Sequence, residues 1–280
     1  MNRRIRIVGM LLVLVLIFGI LTSCSTTKEN LFSINIVNSK EIQITKYHGK
    51  SKTVVIPDMI NDLPVTGITP NAFWGASEIK SIVLPETVVT IGNNAFFSCV
   101  SLTQFNIPKN LKSLGENVFS GCENLKEITV SDGNEYFSSI DGVLFDKDQQ
   151  KLIIYPAKKI GDFYQIPLTV EYIGKNAFSN CEMLQQVVYP DSLIEIGQNA
   201  FKNCINLADI EIPEGTLNLR AGAFWECVNL SSIKIPSSVD NIGEHIFYGC
   251  ARLSSIYVKE GSYAQQWCED NSRTAAMKFY

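Results

Sequence analysis

The 280-residue chain has two histidines, no Cys-x-x-Cys pair, no excess of basic residues and a single long apolar run. Each shortage removes a class of function. A Ser-His-Asp or Cys-His site would have to use His48 or His245, and neither has a nucleophile at a meaningful place in the pattern described below. Zinc sites built on close cysteine pairs lack their spacing. With 24 Lys and Arg against 28 Asp and Glu the net charge is −4. A nucleic acid partner demands a basic face, so that class falls away too. The apolar run, Ile7 to Leu21, is 15 residues long and too short for an ordinary membrane-spanning helix.

What the chain has in abundance is self-similarity, the first thing to look for in a sequence. Phe73, Phe96, Phe119, Phe178, Phe201, Phe224 and Phe247 stand 23 residues apart, except that Phe119 and Phe178 are separated by 59. A small or apolar residue precedes each. Three residues later comes Cys99, Cys122, Cys181, Cys204, Cys227 or Cys250, with Ala76 in the first copy. Six later comes Leu102, Leu125, Leu184, Leu207, Leu230 or Leu253, with Ile79 in the first. An alternating run then ends at Pro85, Pro108, Pro190, Pro213 or Pro236. Seven copies in one register predict a solenoid.

A single unit cannot stand alone. In Leu102–Pro108, Phe105 and Ile107 alternate with polar residues, as in a short strand with one buried face. Proline has no N–H for a ladder, so Pro108 ends the strand. Leu111 and Leu114 turn inward again, and Gly115 is expected to supply a positive φ. Asn117–Cys122 reads as a turn, or one helical turn, returning to the next strand. Some 23 residues bury almost nothing by themselves, so coils must stack and the core becomes columns of like residues.

This frame resembles the BspA-like class of bacterial leucine-rich repeats, whose unit reads roughly I-G-x-x-A-F-x-x-C-x-x-L-x-x-I-x-I-P. The resemblance covers about Thr45 to Val258 and implies a leucine-rich-repeat solenoid. Such a fold is a β-rich right-handed superhelix of parallel strands stacked coil on coil, joined by short turns or helical turns. Arg220 replaces the Gly of the frame, Thr216 an inward apolar residue, and Gly222 and His245 the usual Asn. Adhesion to host or neighbouring cells, through protein partners, is what the family implies; periodicity itself shows only a scaffold. A structural envelope protein, or a solenoid that binds or cleaves polysaccharide, are the alternatives. No cofactor, metal or enzymatic activity is expected.

Residues 1–23 read as a signal peptide: Arg3, Arg4 and Arg6, the apolar run, then Leu21-Thr-Ser-Cys24, which looks like a bacterial lipobox. The resemblance implies a Cys24 that carries acyl chains and anchors an exported protein to the cell envelope. Losing the leader takes basic residues from 24 to 21 against 28 acidic ones, a net of −7. Residues 24–32 would form the lipidated Cys and a polar tether. Residues 33–66 form a degenerate N-terminal cap, with strand-like Ile42–Ile44 and Val54–Ile56. The solenoid proper would run from 67 to 258, expanded at 131–166 by two strands near Val143–Phe145 and Leu152–Tyr155. Residues 259–280 would be a C-terminal cap, with a Ser-capped helix from Ser262 to Asp270 and a last strand over Met277–Tyr280.

Three columns of the repeat invite chemical readings. The cysteines occupy one equivalent position, with parallel Cβ directions unsuited to a disulfide, so they read as small buried apolar residues. Asn71, Asn94, Asn117, Asn176 and Asn199 form an amide column, read as hydrogen-bonding one another and the turn backbone, with His245 as a substitute in it. The outward strand positions vary where the inward ones do not. Gln104, Asn106, Glu127, Thr129, Gln186, Val188, Asp209, Glu211, Ser232, Lys234, Ser255 and Tyr257 are therefore the candidate protein-binding face. Tyr257 is the only outward aromatic in that set, so carbohydrate ranks below protein as a partner. Asp209, Glu211 and Glu127 read as solvated acids before they read as a calcium site.

Overall fold

A computed structural model describes residues 27–280. The leader and Cys24 lie outside the described residues. The chain winds as a solenoid in which every regular coil contributes two strands. A front ladder carries the alternating run: Thr53–Val55 with Ser81–Val83, Gln104–Ile107 with Glu127–Val130, and Phe163–Gln165 with Gln186–Val188. It continues through Asp209–Glu211, Ser232–Lys234 and Ser255–Val258 to Met277–Phe279. All these pairings are parallel, and within the regular coils they hold the 23-residue register, as in Glu211↔Lys234↔Tyr257.

A back ladder, not anticipated from the sequence, is built from two-residue strands such as Thr90–Ile91, Ser113–Leu114, Glu195–Ile196 and Asn218–Leu219. Runs this short carry no period-2 signal. They exist because stacking brings each next to its equivalent. Between the ladders run chains of turns closed by i+3 to i hydrogen bonds, as in Trp74 N–H to Asn71 O and Ala76 N–H to Phe73 O.

The core is columnar as expected. Phe73, Phe96, Phe178, Phe201 and Phe224 are fully buried. Their rings stack at 5.1 Å (Phe73–Phe96), 4.7 Å (Phe178–Phe201) and 5.5 Å (Phe201–Phe224), geometry worth about 0.5–1.5 kcal/mol per pair beyond area burial. The six cysteines of the column are buried and unbridged, and they do more than fill space. Each thiol donates to the carbonyl 26 residues back: Cys99 to Phe73 O at 3.2 Å, Cys204 to Phe178 O at 3.1 Å, Cys250 to Phe224 O at 3.0 Å. Burial pushes the Cys99 and Cys204 thiols up to about 12, so both stay protonated donors.

Two readings of the turn chemistry are corrected. The Asn column is chiefly conformational: Asn71, Asn94, Asn117, Asn176, Asn199 and His245 all have φ between 55° and 63°. Asn tolerates this left-handed region better than most residues. A second left-handed position follows each Phe by two, held by Gly75, Ser98, Gly121, Asn180, Asn203, Glu226 and Gly249. Within the Asn column, one amide-to-amide bond forms, Asn176 Nδ2 to Asn117 Oδ1 at 2.7 Å. Gly115, in contrast, does not have a positive φ. It is needed because a Cβ there would sit 2.4 Å from Asn93 N, and at Gly197 one would sit 2.6 Å from Ile173 O. The coils approach too closely for any side chain.

At the N-terminus Phe32–Val37 pairs antiparallel with Glu41–Tyr47, which joins the back ladder through Leu63–Ile68. The stretch read as a tether is docked from Thr27 on, where Thr27 N–H donates to Val55 O and Thr27 Oγ1 accepts from Val55 N–H. The expanded coil is a three-stranded antiparallel meander, Phe137–Ile140, Val143–Asp146 and Lys151–Ile154. The last two are the expected strands; the first was not foreseen. Both sides of its middle strand are covered: Leu144 belongs to the N-terminal core, Val143 and Phe145 to the C-terminal one. Buried Asn134 ties the meander down, donating to Pro108 O and Leu111 O and accepting from Tyr136 and Phe137 N–H. The C-terminal helix Tyr263–Asp270 has Ser262 Oγ accepting from Gln265 N–H, and its Trp267 packs edge-on against Phe247 at 5.8 Å.

Candidate functional site

The twelve outward residues form two patches, because no strand pairing joins Glu127–Val130 to Phe163–Gln165 among the described residues. In the N-terminal patch Thr129 Oγ1 donates to Asn106 Oδ1 at 2.9 Å, and Asn106 Nδ2 donates to Ser131 Oγ at 2.9 Å. Gln104 and Glu127 stand exposed beside them. This patch is a polar surface in which Asn106 and Thr129 satisfy one another.

The C-terminal patch is an open groove of about 880 Å³. Inward Val187, Ile210, Ile233 and Ile256 are buried beneath it, so the alternation turns the side chains between them to the groove. Gln186 and Val188 lie at one end. In the middle, Asp209 Oδ1 accepts from Ser231 Oγ (2.8 Å) and Ser232 Oγ (2.6 Å), and Lys234 pairs with Glu211 at 2.7 Å. That carboxylate holds the Lys234 ammonium above the usual lysine range. Glu127 sits beyond the expanded coil on the other patch, so the three acids considered together do not converge.

Tyr257 and Tyr280 close the far end, and each ring already carries a cation. Lys278 Nζ lies 5.6 Å from the Tyr257 centroid and Lys234 Nζ 4.7 Å from that of Tyr280. Ser255 is corrected: it is buried, 7% exposed, and accepts from Lys278 Nζ at 2.6 Å, because the last strand lies beside it. Tyr189 was missed. It stands where other coils have Ile before Pro, its ring is buried against the Phe201 column (centroids 6.0 Å apart), and it lines the groove. Its hydroxyl has no hydrogen-bond partner among the described residues, and burial raises the phenol well above its ordinary range. The Ile-to-Tyr exchange in the repeat was the available signal. Phe163, also missed, is half exposed on the same face.

Neither histidine lines this groove. His48 Nε2 meets Ser33 Oγ at 2.7 Å in the N-terminal hairpin region, and His245 occupies a left-handed turn position beside Trp225.

Comparison with known proteins agrees with this architecture. The profile of the BspA type leucine-rich repeat region, in six copies, matches residues 40–162 and 162–272. The chain belongs to that family. Among solved structures, the BspA-type chain resembles a leucine-rich cell surface protein from Faecalibacterium prausnitzii, at TM-score 0.54 and 22% identity over 87% of this chain and 97% of the other. The pneumococcal vaccine antigen PcpA aligns at TM-score 0.58 and 22% identity, over 83% and 81% of the two chains. A leucine-rich-repeat protein from Bacteroides ovatus gives 0.55 and 25%, over 82% and 64%. The similarity to the first two is a similarity of fold. No curated protein matches the BspA-type chain. No described helix is long and apolar enough to cross a membrane.

Proposed function

We propose that this BspA-type chain is exported, held at the cell envelope through acyl chains on Cys24, and binds a protein through the groove between Gln186 and Tyr280, in adhesion to host or neighbouring cells. The observation that carries the reading is the groove itself. Beneath it inward residues repeat; on it Gln186, Val188, Asp209, Glu211, Ser232, Lys234 and Tyr257 do not, which is how a repeat scaffold presents an extended recognition surface. Protein is favoured over carbohydrate because lysines occupy the faces of Tyr257 and Tyr280, where a sugar would stack. The N-terminal patch, with Gln104, Asn106, Glu127 and Thr129, would extend the surface.

The test is partner capture from candidate cell surfaces by the wild-type chain and by Glu211→Lys combined with Lys234→Glu. The swap keeps an ion pair in the ladder, so the fold survives while the field over the groove reverses. A salt-dependent loss of capture is expected. Capture unchanged by the swap but abolished by Lys202→Glu on the turns would move the surface to the other side. For the anchor, Cys24→Ser should release the protein from membranes; full retention would remove the lipid from this reading.

A further inference from the structure

In every regular coil the turn around the core Phe donates a row of backbone N–H groups, on alternate residues, to carbonyls of the next coil. Asn71, Phe73 and Gly75 give to Asn93, Ala95 and Phe97, and Asn199, Phe201 and Asn203 give to Ala221, Ala223 and Trp225. The row breaks at one place inside the solenoid. Asn117, Phe119 and Gly121 N–H have no acceptor among the described residues, because the carbonyl that Phe119 would meet, Ala177 O, is taken by Tyr155 N–H at 2.8 Å. The last coil, at Phe247, leaves the same row without backbone acceptors, as a terminal coil must. The Phe119 turn is thus an end buried within the chain. The meander rebuilds the back-ladder side of the missing coil and leaves its turn side out.

What remains there is a cavity of about 270 Å³ lined by the open row and by Phe137, Ile154, Tyr155 and Pro156. The aromatic column is interrupted across it: Phe119 packs on Phe96 and Phe105, Tyr155 on Tyr164 and Phe178. One lip is held shut by Lys175–Glu116 at 2.8 Å and Asn176–Asn117 at 2.7 Å. Past Gly121 the next tie across the seam is Lys158 N–H to Leu125 O at 2.8 Å.

We infer that this seam binds a short segment of a partner polypeptide, which takes the place of the missing turn. The other coils show what the row requires: carbonyl oxygens on alternate residues, with one aromatic side chain between them entering the column. A cavity of this size, just below the roughly 300–1,000 Å³ of ordinary ligand pockets, holds one such side chain and a few backbone atoms. Of the three residues Phe119 is buried and Asn117 and Gly121 are half-buried; an N–H shielded from water without a partner is costly, so pairing the row and filling the column with an aromatic ring provide the drive. The site is distinct from the front-face groove and does not rest on it.

The experiment uses the full chain and a blocked peptide with the sequence of residues 93–98, Asn-Asn-Ala-Phe-Phe-Ser. In amide hydrogen exchange, Phe119 and Gly121 N–H should exchange at least about tenfold faster than Phe201 and Asn203 N–H in the free protein, lacking the bonds that protect the latter. Saturating peptide should slow both by a similar factor. The same peptide with both Phe changed to Ser should not, and Ala157→Trp, which plugs the half-buried lip, should abolish the response while leaving Phe201 protection unchanged. Slow exchange at Phe119 in the free protein overturns the open row. Fast exchange with no response to the peptide overturns the occupant. A response to octanoate or acetate but not to the peptide also overturns it, making the row an anion nest.

Discussion

The two halves of this solenoid are built alike and end differently. Each begins with an antiparallel hairpin that leads into a tyrosine, Tyr47 or Tyr155, whose N–H takes the alanine carbonyl before the next Phe and whose ring starts an aromatic column. Each then adds coils in the 23-residue register. The C-terminal half finishes under a helix and a final strand, with Trp267 closing over Phe247. The N-terminal half finishes at Phe119 against a meander that covers the sheet and leaves the turns uncovered. The difference teaches that the expanded coil acts less as an insertion than as a second beginning. A solenoid whose stability is a sum of coil and interface terms has a weak interface there.

That comparison can be broken by mutation, and the largest effect should fall in the column. Phe201→Ala, with rings packed on both sides, is expected to cost about 3–5 kcal/mol in denaturant unfolding. Phe119→Ala should cost clearly less, because one side of that ring already faces a void. Equal costs would mean the seam is as well packed as a regular interface. Lys234→Ala, an exposed member of a surface pair, should leave the unfolding midpoint nearly unchanged.

Next comes the coil-to-coil approach. Gly197→Ala forces a Cβ to 2.6 Å from Ile173 O, and overpacking of this kind costs typically about 1–3 kcal/mol. Gly161→Ala, with only Phe163 O near at 3.8 Å but φ +125°, tests backbone strain without a clash. A melting-temperature loss at Gly161 as large as at Gly197 would mean that strain, not contact, governs these positions.

A smaller effect is expected from pH. Cys204 has a folded-state pKa of about 12 against an ordinary 9.0, raised by burial. Its contribution is therefore complete below about pH 9 and is lost as pH rises toward 12, since the unfolded chain releases a proton that the folded chain keeps. Stability measured from pH 8 to 11 should fall, and Cys204→Ala should flatten that fall. An unchanged slope would show that other groups set it.

The smallest effect separates the two accounts of the asparagine column. Asn199 makes no side-chain hydrogen bond among the described residues and has φ 55°. Asn199→Gly should be near neutral, and Asn199→Ala should cost about 1–2 kcal/mol, the penalty for a Cβ in left-handed geometry. At Asn176, where the amide bridges the seam to Asn117, glycine should cost something too. If glycine at 199 is as harmful as alanine, the amide matters more than the conformation.

Reading the sequence found the core well and the backbone poorly. Phe, Leu and Cys recur at fixed places because each must fill the same slot in a stack, so burial is written into the period. The reasons behind Gly115 and the asparagines were not legible, since close approach and left-handed φ both show simply as a preferred residue type. The groove was half visible. Gln186, Val188, Asp209, Glu211, Ser232, Lys234 and Tyr257 follow from alternation, while Tyr189 and Tyr280 join them through packing, and Ser255 is lost to the strand that ends the chain.

By itself the sequence determined that the chain is a stack of like coils, because 23 residues with one buried face have no other way to bury it. It determined which residues point inward, for the same reason. Only the tertiary structure decided where the stack is interrupted. Whether the 36 extra residues between Phe119 and Phe178 rebuild a whole coil or one side of it depends on which N–H groups reach which carbonyls across the seam. Pairings between residues far apart in the chain leave no period to read.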